Sequence, residues 1–184
     1  KLPFIKKEES MKNKLLFIVN VDWFFISHRL IIAEEAMKKG FEVIVACEDT
    51  GISNEITSKG IKFIDFPFSR SGINPISELS TLFKFYKIYN EIKPDIVHHI
   101  TLKPVIYGTL ISRLLKVKGV VNAVSGLGYN FTADRKGLVQ KIMIRLLRIG
   151  FKRNNLTIIF QNENDKKAFL DLNIISDNNS IVKI

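Results

Sequence analysis

Short, nearly continuous apolar runs alternate with stretches of helical period along this 184-residue chain, and that alternation constrains its fold more than any other feature. The apolar runs fall at residues 15–20, 42–47, 61–66, 95–99, 120–124, 156–160 and 181–184. Helical patterns lie between them at 28–39, 52–59, 76–92, 105–116, 138–153 and 163–172, the first two closed by Gly40 and Gly60. A strand exposed on one side alternates apolar with polar residues, whereas runs apolar throughout belong to strands covered on both faces. Right-handed crossovers then place helices on each side of a parallel sheet. The pattern predicts an α/β fold, a doubly wound parallel sheet of the Rossmann-like kind with about seven strands.

With 46% hydrophobic and 25% charged residues the chain suits one well-buried core. No apolar run reaches the roughly 18 residues of a membrane span. The single cysteine, Cys47, lies within an apolar run, so no disulfide framework exists and a reducing compartment is expected. Residues 1–10 fit no period and are expected to be an added or disordered arm before Met11, with the domain occupying 11–184. The chain stops on a strand pattern with no closing helix, and a downstream partner domain is expected. A net charge of +10 calls for an anionic partner, either nucleic acid, phospholipid or a phosphorylated small molecule. There is no arginine-rich arm, zinc-finger spacing or aromatic RNA-binding strand, so nucleic acid is set aside.

Ligands of open parallel sheets bind at the carboxyl ends of the strands, which directs attention to four segments. The first, residues 20–29, contains no glycine, and Trp23, Phe24 and Phe25 would obstruct the close approach that a dinucleotide pyrophosphate requires. Glu48 imitates a ribose-binding acid, but without the glycines hydride transfer is disfavoured. The segment does offer His28 and Arg29 at a helix start, with Ser27 as the expected N-cap. A packed histidine and a solvated arginine are the alternative. The second segment, 95–104, is bracketed by Pro94 and Pro104. Strand alternation sends His98 and His99 to opposite faces, so they do not share a metal ion; His28 is the only other histidine, and no metal site is expected. One ring is expected in the core and bonded to backbone, the other toward the cleft, with Lys103 placed to meet an anion.

The third segment, Ser125, Gly126, Leu127 and Gly128, can turn backbone N–H groups toward an oxyanion or phosphate, or can simply be a tight turn. In the fourth, Lys141, Arg145, Arg148 and Lys152 form a basic stripe, while Leu138, Ile142, Leu146 and Ile149 supply an apolar face. Such a helix suits an anionic membrane surface; a solvated face packed on the sheet is the alternative. Phe83, Lys84, Phe85, Lys87 and Ile88 make a second candidate of the same kind.

Taken together, residues 25–29 (Phe-Ile-Ser-His-Arg), 68–75 (Phe-Ser-Arg-Ser-Gly-Ile-Asn-Pro), 95–99 with 103–108, and 124–128 resemble the amino-terminal domain of family 4-like glycosyltransferases of GT-B architecture, especially bacterial enzymes of lipid-linked surface-polysaccharide synthesis. The resemblance implies one half of a GT-B enzyme, the acceptor-binding domain. The absent carboxyl-terminal domain would bind the nucleotide-sugar, UDP-linked in the usual case, as a substrate and with no cofactor. It implies glycosyl transfer to a lipid-linked or other membrane saccharide acceptor. The protein would be cytoplasmic and peripheral on the inner face of the membrane, and this fragment alone would be inactive. His28 and Arg29 would face the acceptor or its phosphate, Ser69 and Arg70 would flank it, and residues 125–128 would shape the cleft floor. Where many relatives carry a second histidine two residues beyond the His98 position, this chain has Ile100, so no catalytic residue is assigned and His28, His98 and His99 stay candidates. A non-catalytic basic subunit of a split transferase, or another GT-B-like enzyme such as a nucleotide-sugar epimerase, are the competing readings.

Overall fold

The computed structural model describes residues 12–68, 75–124, 137–176 and 179–183. Seven parallel strands form one sheet in the order β3-β2-β1-β4-β5-β6-β7: β1 Lys14–Val21, β2 Glu42–Glu48, β3 Lys62–Asp65, β4 Ile96–Ile100, β5 Gly119–Val124, β6 Leu156–Phe160 and β7 Ser180–Lys183. The doubly wound Rossmann-like fold expected from the sequence is therefore the fold found. The central strands are buried on both faces, as in β1, where residues 15–19 are all buried. That is why their sequences read as continuous rather than alternating apolar runs.

One face of the sheet carries α1 Asp22–His28, α2 Leu30–Lys38 and α3 Ser53–Thr57, whose Phe25, Ala33 and Ile56 close a core over Phe17, Val45 and Ile100. The other carries α4 Pro75–Ile92, a π-helical turn Pro104–Gly108 running into α5 Thr109–Leu114, α6 Leu138–Phe151 and α7 Glu163–Asp171. Here Phe85, Tyr89, Ile111, Phe151 and Phe169 close a second core over Ile18, Val97 and Phe160. α2 stops at Gly40, whose φ of 89° favours glycine and whose N–H donates to the Met37 carbonyl at 2.9 Å. α7 starts on Asn162, whose side-chain oxygen accepts from the Asp165 N–H at 2.8 Å.

Three local expectations are corrected. The first helix begins at Asp22, seven residues of non-glycine, non-proline sequence before the Arg29 kink, so Ser27 and His28 close a helix instead of opening one. In α4 the candidate surface face of Phe83, Lys84, Phe85, Lys87 and Ile88 is split: Phe85 and Ile88 are buried with Thr81 and Tyr89, while Leu79, Phe83 and Tyr86 lie outside. The helix is apolar around much of its girth, and only the sheet decides which stripe is covered. In α6 the buried residues are Leu147, Gly150 and Phe151, and Leu138, Ile142 and Ile149 are exposed, so of the two readings of this helix it is the one with that face packed on the sheet that is corrected.

The two layers of the π-turn region are locked by a close approach. A Cβ on Gly108 would fall inside van der Waals contact of the His99 ring. The helix backbone can rest on the imidazole only because that position carries no side chain. Gly108→Ala should therefore destabilise the fold by about 2–3 kcal/mol through overpacking, read as a lowered denaturant midpoint.

Candidate functional site

In the strand order, β1 and β4 are neighbours, yet the chain leaves β1 toward one helix layer and leaves β4 toward the other. That divergence opens a crevice at their carboxyl ends, the place where such sheets take ligands. Its walls are polar. The Thr101 hydroxyl donates to the Asn20 side-chain oxygen at 2.7 Å, tying the two strand ends together. Thr101 has a φ of 74°, a left-handed conformation that a β-branched residue adopts at a cost of about 1–3 kcal/mol. On the neighbouring side the buried carboxylate of Asp22 accepts from the Thr50 N–H at 2.7 Å, the Thr50 hydroxyl at 2.5 Å and the Trp23 N–H at 2.7 Å. It thereby fastens the end of β1 to the loop after β2.

Arg29 occupies the hinge between α1 and α2. Its N–H donates to the Phe25 carbonyl at 2.8 Å, and its own carbonyl accepts from Ile32 and Ala33, at 3.0 and 3.1 Å, so it ends one helix and begins the next. The side chain is buried. Nη1 donates to the His28 carbonyl at 3.0 Å, while Nε and Nη2 have no partner among the described residues. Burial lowers its pKa, yet a guanidinium stays charged, and a buried charge with unpaired donors carries a desolvation penalty that an anion would offset. His28, by contrast, is exposed, stacks on Phe24 with ring centroids 4.3 Å apart, and holds the Ser27 hydroxyl through Nδ1 at 2.6 Å.

His98 and His99 do lie on opposite faces of the sheet. His98 is buried beside Phe17, 5.1 Å between ring centroids, on the layer that holds Arg29. Its Nε2 has no partner among the described residues, and burial, helped by the Arg29 charge, pushes its pKa down to about 3. His99 is fully enclosed on the other face. Its Nδ1 meets the Asn122 side-chain oxygen at 2.7 Å, Nε2 meets the Tyr89 hydroxyl, and the Asn122 amide donates to the Thr109 hydroxyl at 2.8 Å. The expectation of a backbone partner is corrected: these are side-chain bonds. With Asn122 accepting, His99 is neutral, protonated at Nδ1, and accepts the Tyr89 proton at Nε2. Burial pushes its pKa down to about 4.

Lys103 is not a free cation. Its ammonium lies 2.7 Å from a carboxylate oxygen of Glu78, in a pair whose side chains are mostly buried, and the other oxygen of Glu78 accepts from the Tyr107 hydroxyl. The cluster pins the first turn of α4 to the start of the π-turn. The other cations divide similarly. Arg113 donates to the Ile149 and Lys152 carbonyls at 2.5 and 2.7 Å, capping α6. Arg148 donates twice to the Leu172 carbonyl, at 3.0 and 2.6 Å. Arg153 spans Ser112, Val117 and Asn155. Lys141, Arg145 and Lys152 remain exposed. Ser69, Arg70, Ser125, Gly126 and Gly128 lie outside the described residues.

Sequence reasoning missed Asp22, Glu78, Tyr89 and Asn122. Asn122 did carry a signal, since an amide inside an otherwise apolar strand requires a buried partner. Among the described residues no group of three metal-ligating side chains comes together. A cavity of about 590 Å³ lined by Arg148, Lys152, Arg153 and Ser180 opens at the opposite end of the sheet, where β6 begins. Size therefore does not mark the site.

A parallel sheet of this order, flanked by helices on both faces, defines a Rossmann-like domain. The chain belongs to the Glycosyl transferase 4-like family, whose model matches residues 14–162. It is 24% identical over 170 residues to the N,N'-diacetylbacillosaminyl-diphospho-undecaprenol alpha-1,3-N-acetylgalactosaminyltransferase of Campylobacter jejuni, covering 86% of this chain and 45% of that protein. Its fold is similar to that of a glycosyltransferase from Rickettsia africae, with a TM-score of 0.62 and 16% identity over 95% of this chain and 43% of that one. It is also similar to the UDP-GlcNAc 2-epimerase of Methanocaldococcus jannaschii, with a TM-score of 0.58 and 18% identity, covering 93% and 45%. The chain thus spans a little under half the length of these relatives.

Two outcomes follow from the geometry. Both buried histidines have folded-state pKa values below the ordinary 6.5, so below that pH the unfolded chain binds protons that the folded chain refuses. Their stability contribution is complete above 6.5 and is lost as pH falls toward about 4, and urea unfolding should show a loss of about 4 kcal/mol between roughly pH 7 and pH 5. Lys103→Ala should cost about 1–2 kcal/mol by stranding Glu78, and Lys103→Ala combined with Glu78→Gln should recover part of it. A double-mutant cycle with no coupling would remove this pair from the account.

Proposed function

We propose that the chain is the acceptor-binding half of a glycosyltransferase that moves a sugar from a nucleotide-sugar, UDP-linked, to a lipid-linked or other membrane saccharide acceptor in surface-polysaccharide synthesis. Arg29 carries the reading. A buried guanidinium with two nitrogens, Nε and Nη2, unpaired among the described residues at a switch-point crevice suits a diphosphate better than a neutral sugar. The C. jejuni relative's name specifies a diphospho-undecaprenol acceptor, which is the same chemistry. In this reading the nucleotide-sugar is a substrate and no cofactor takes part. The donor is held mainly by a second domain beyond these residues, without which the chain is inactive.

The mechanism is electrostatic positioning. Diphosphate oxygens on the acceptor gather charge near Arg29 and the exposed His28, while the Asp22 and Thr101 ties keep the strand ends from moving as the charge binds. Lys103 reaches an anion only when Glu78 yields it, so its role is that of a positioning residue. His98 sits on the Arg29 side as a neutral ring, and His99 holds the wall without touching substrate.

The likeness to UDP-GlcNAc 2-epimerases favours a second reading through the fold alone. An epimerase interconverts its nucleotide-sugar with no acceptor present; a transferase releases the nucleoside diphosphate only when an acceptor is supplied. In the complete protein, Arg29→Ala should lower kcat/KM at least tenfold, about 1.4 kcal/mol, with Arg29→Lys intermediate and circular dichroism unchanged. Wild-type turnover by Arg29→Ala would refute the assignment.

A further inference from the structure

A surface helix ordinarily covers its apolar stripe and shows a mixed-charge face to water. α6 does neither. It contains no acidic residue, and its outward side presents Leu138 at 74% exposure and Ile142 at 48%, with Ile149 in the same stripe. Lys141, Arg145 and Lys152 run beside that stripe at intervals of four and seven residues, on the same outward side. Across the short α5, which packs against both of its neighbours, α4 turns out Leu79 and Phe83 at 69% and 66% exposure, followed one turn later by Tyr86.

We propose that the outward face of α4 and α6 docks on an anionic lipid bilayer. Apolar side chains flanked by cations on helices that lie flat are what binds the headgroup boundary, and the absence of any acid on α6 matches a negative surface. A protein partner of ordinary mixed charge would leave those cations unanswered. The placement also has a direction. Helices of a parallel sheet start at the carboxyl ends of the strands, so Leu79, Phe83, Leu138 and Ile142, all in the first halves of their helices, lie at the same end of the domain as the β1–β4 crevice. The face would then hold that crevice at the membrane, where a lipid-linked acceptor reaches it without leaving the bilayer, a step that rests on the acceptor reading above.

The test is co-sedimentation of the chain with vesicles of phosphatidylglycerol and phosphatidylcholine, against phosphatidylcholine alone, with no acceptor lipid in either. Binding should be at least tenfold stronger to the anionic vesicles and should weaken with salt. Leu138→Glu with Ile142→Glu, Phe83→Glu, and Lys141→Glu with Arg145→Glu should each lower it about tenfold. Ile31→Glu, equally exposed but on the opposite layer, should leave it unchanged. Equal binding to neutral vesicles overturns the proposal. So does wild-type binding by the apolar variants, or loss of binding in Ile31→Glu, once circular dichroism shows the variants folded. Because the vesicles lack acceptor, these results stand apart from the Arg29→Ala kinetics, and either reading can fail without the other.

Discussion

The seating of the His99 ring against Gly108 is the contact on which the upper half of the domain depends. Asn122 and Tyr89 fix the ring from two sides, and the ring in turn supports the backbone of the π-turn. β4, β5, α4 and α5 meet there. A shift of the ring would move the turn that carries Lys103 and Tyr107, and with it the Glu78 tie to α4. Low local dielectric raises the stakes, since each hydrogen bond is stronger and each unpaired group costlier than at the surface. π-turns inside helices recur near functional sites because they shift side-chain phase locally. Here the turn directly follows the strand end that walls the crevice.

Charge is handled in two ways. Arg113, Arg148 and Arg153 are bound within the fold, satisfying carbonyls at helix and strand ends, where cations also meet the negative ends of helix dipoles. Arg29 is treated differently. It is buried with Nε and Nη2 unpaired among the described residues, which is destabilising in isolation and is a cost that an anion would offset. A net charge of +10 is therefore a poor guide to binding until the structurally committed cations are set aside.

Much of the architecture was legible in the sequence because burial on both faces writes itself as continuous apolar runs. Seven runs and seven strands agree, with ends shifted by a residue or two. The site was legible only in outline. Arg29 and the opposed histidines follow from position and period. Asp22, Glu78 and Tyr89 do not, since their partners lie 28, 25 and 10 residues away and are brought to them by crossovers that no local pattern describes. Lys103 looked like a free cation because Glu78 is remote in sequence. The apolar stripe of α6 was legible as a stripe, with a membrane-facing and a sheet-facing reading both open, and only the tertiary structure showed it outside.

The residue order by itself determined the alternation of strands and helices, the parallel sheet, and the separation of His98 from His99, because periods of two and 3.6 residues are local properties of the backbone. Tertiary structure alone decided which side of each helix is covered, which cations are spent on carbonyls, and that Arg29 is buried with nitrogens unpaired among the described residues. Those outcomes depend on what lies across the layer, and an amphipathic pattern states that a helix has an apolar side without stating which neighbour will cover it.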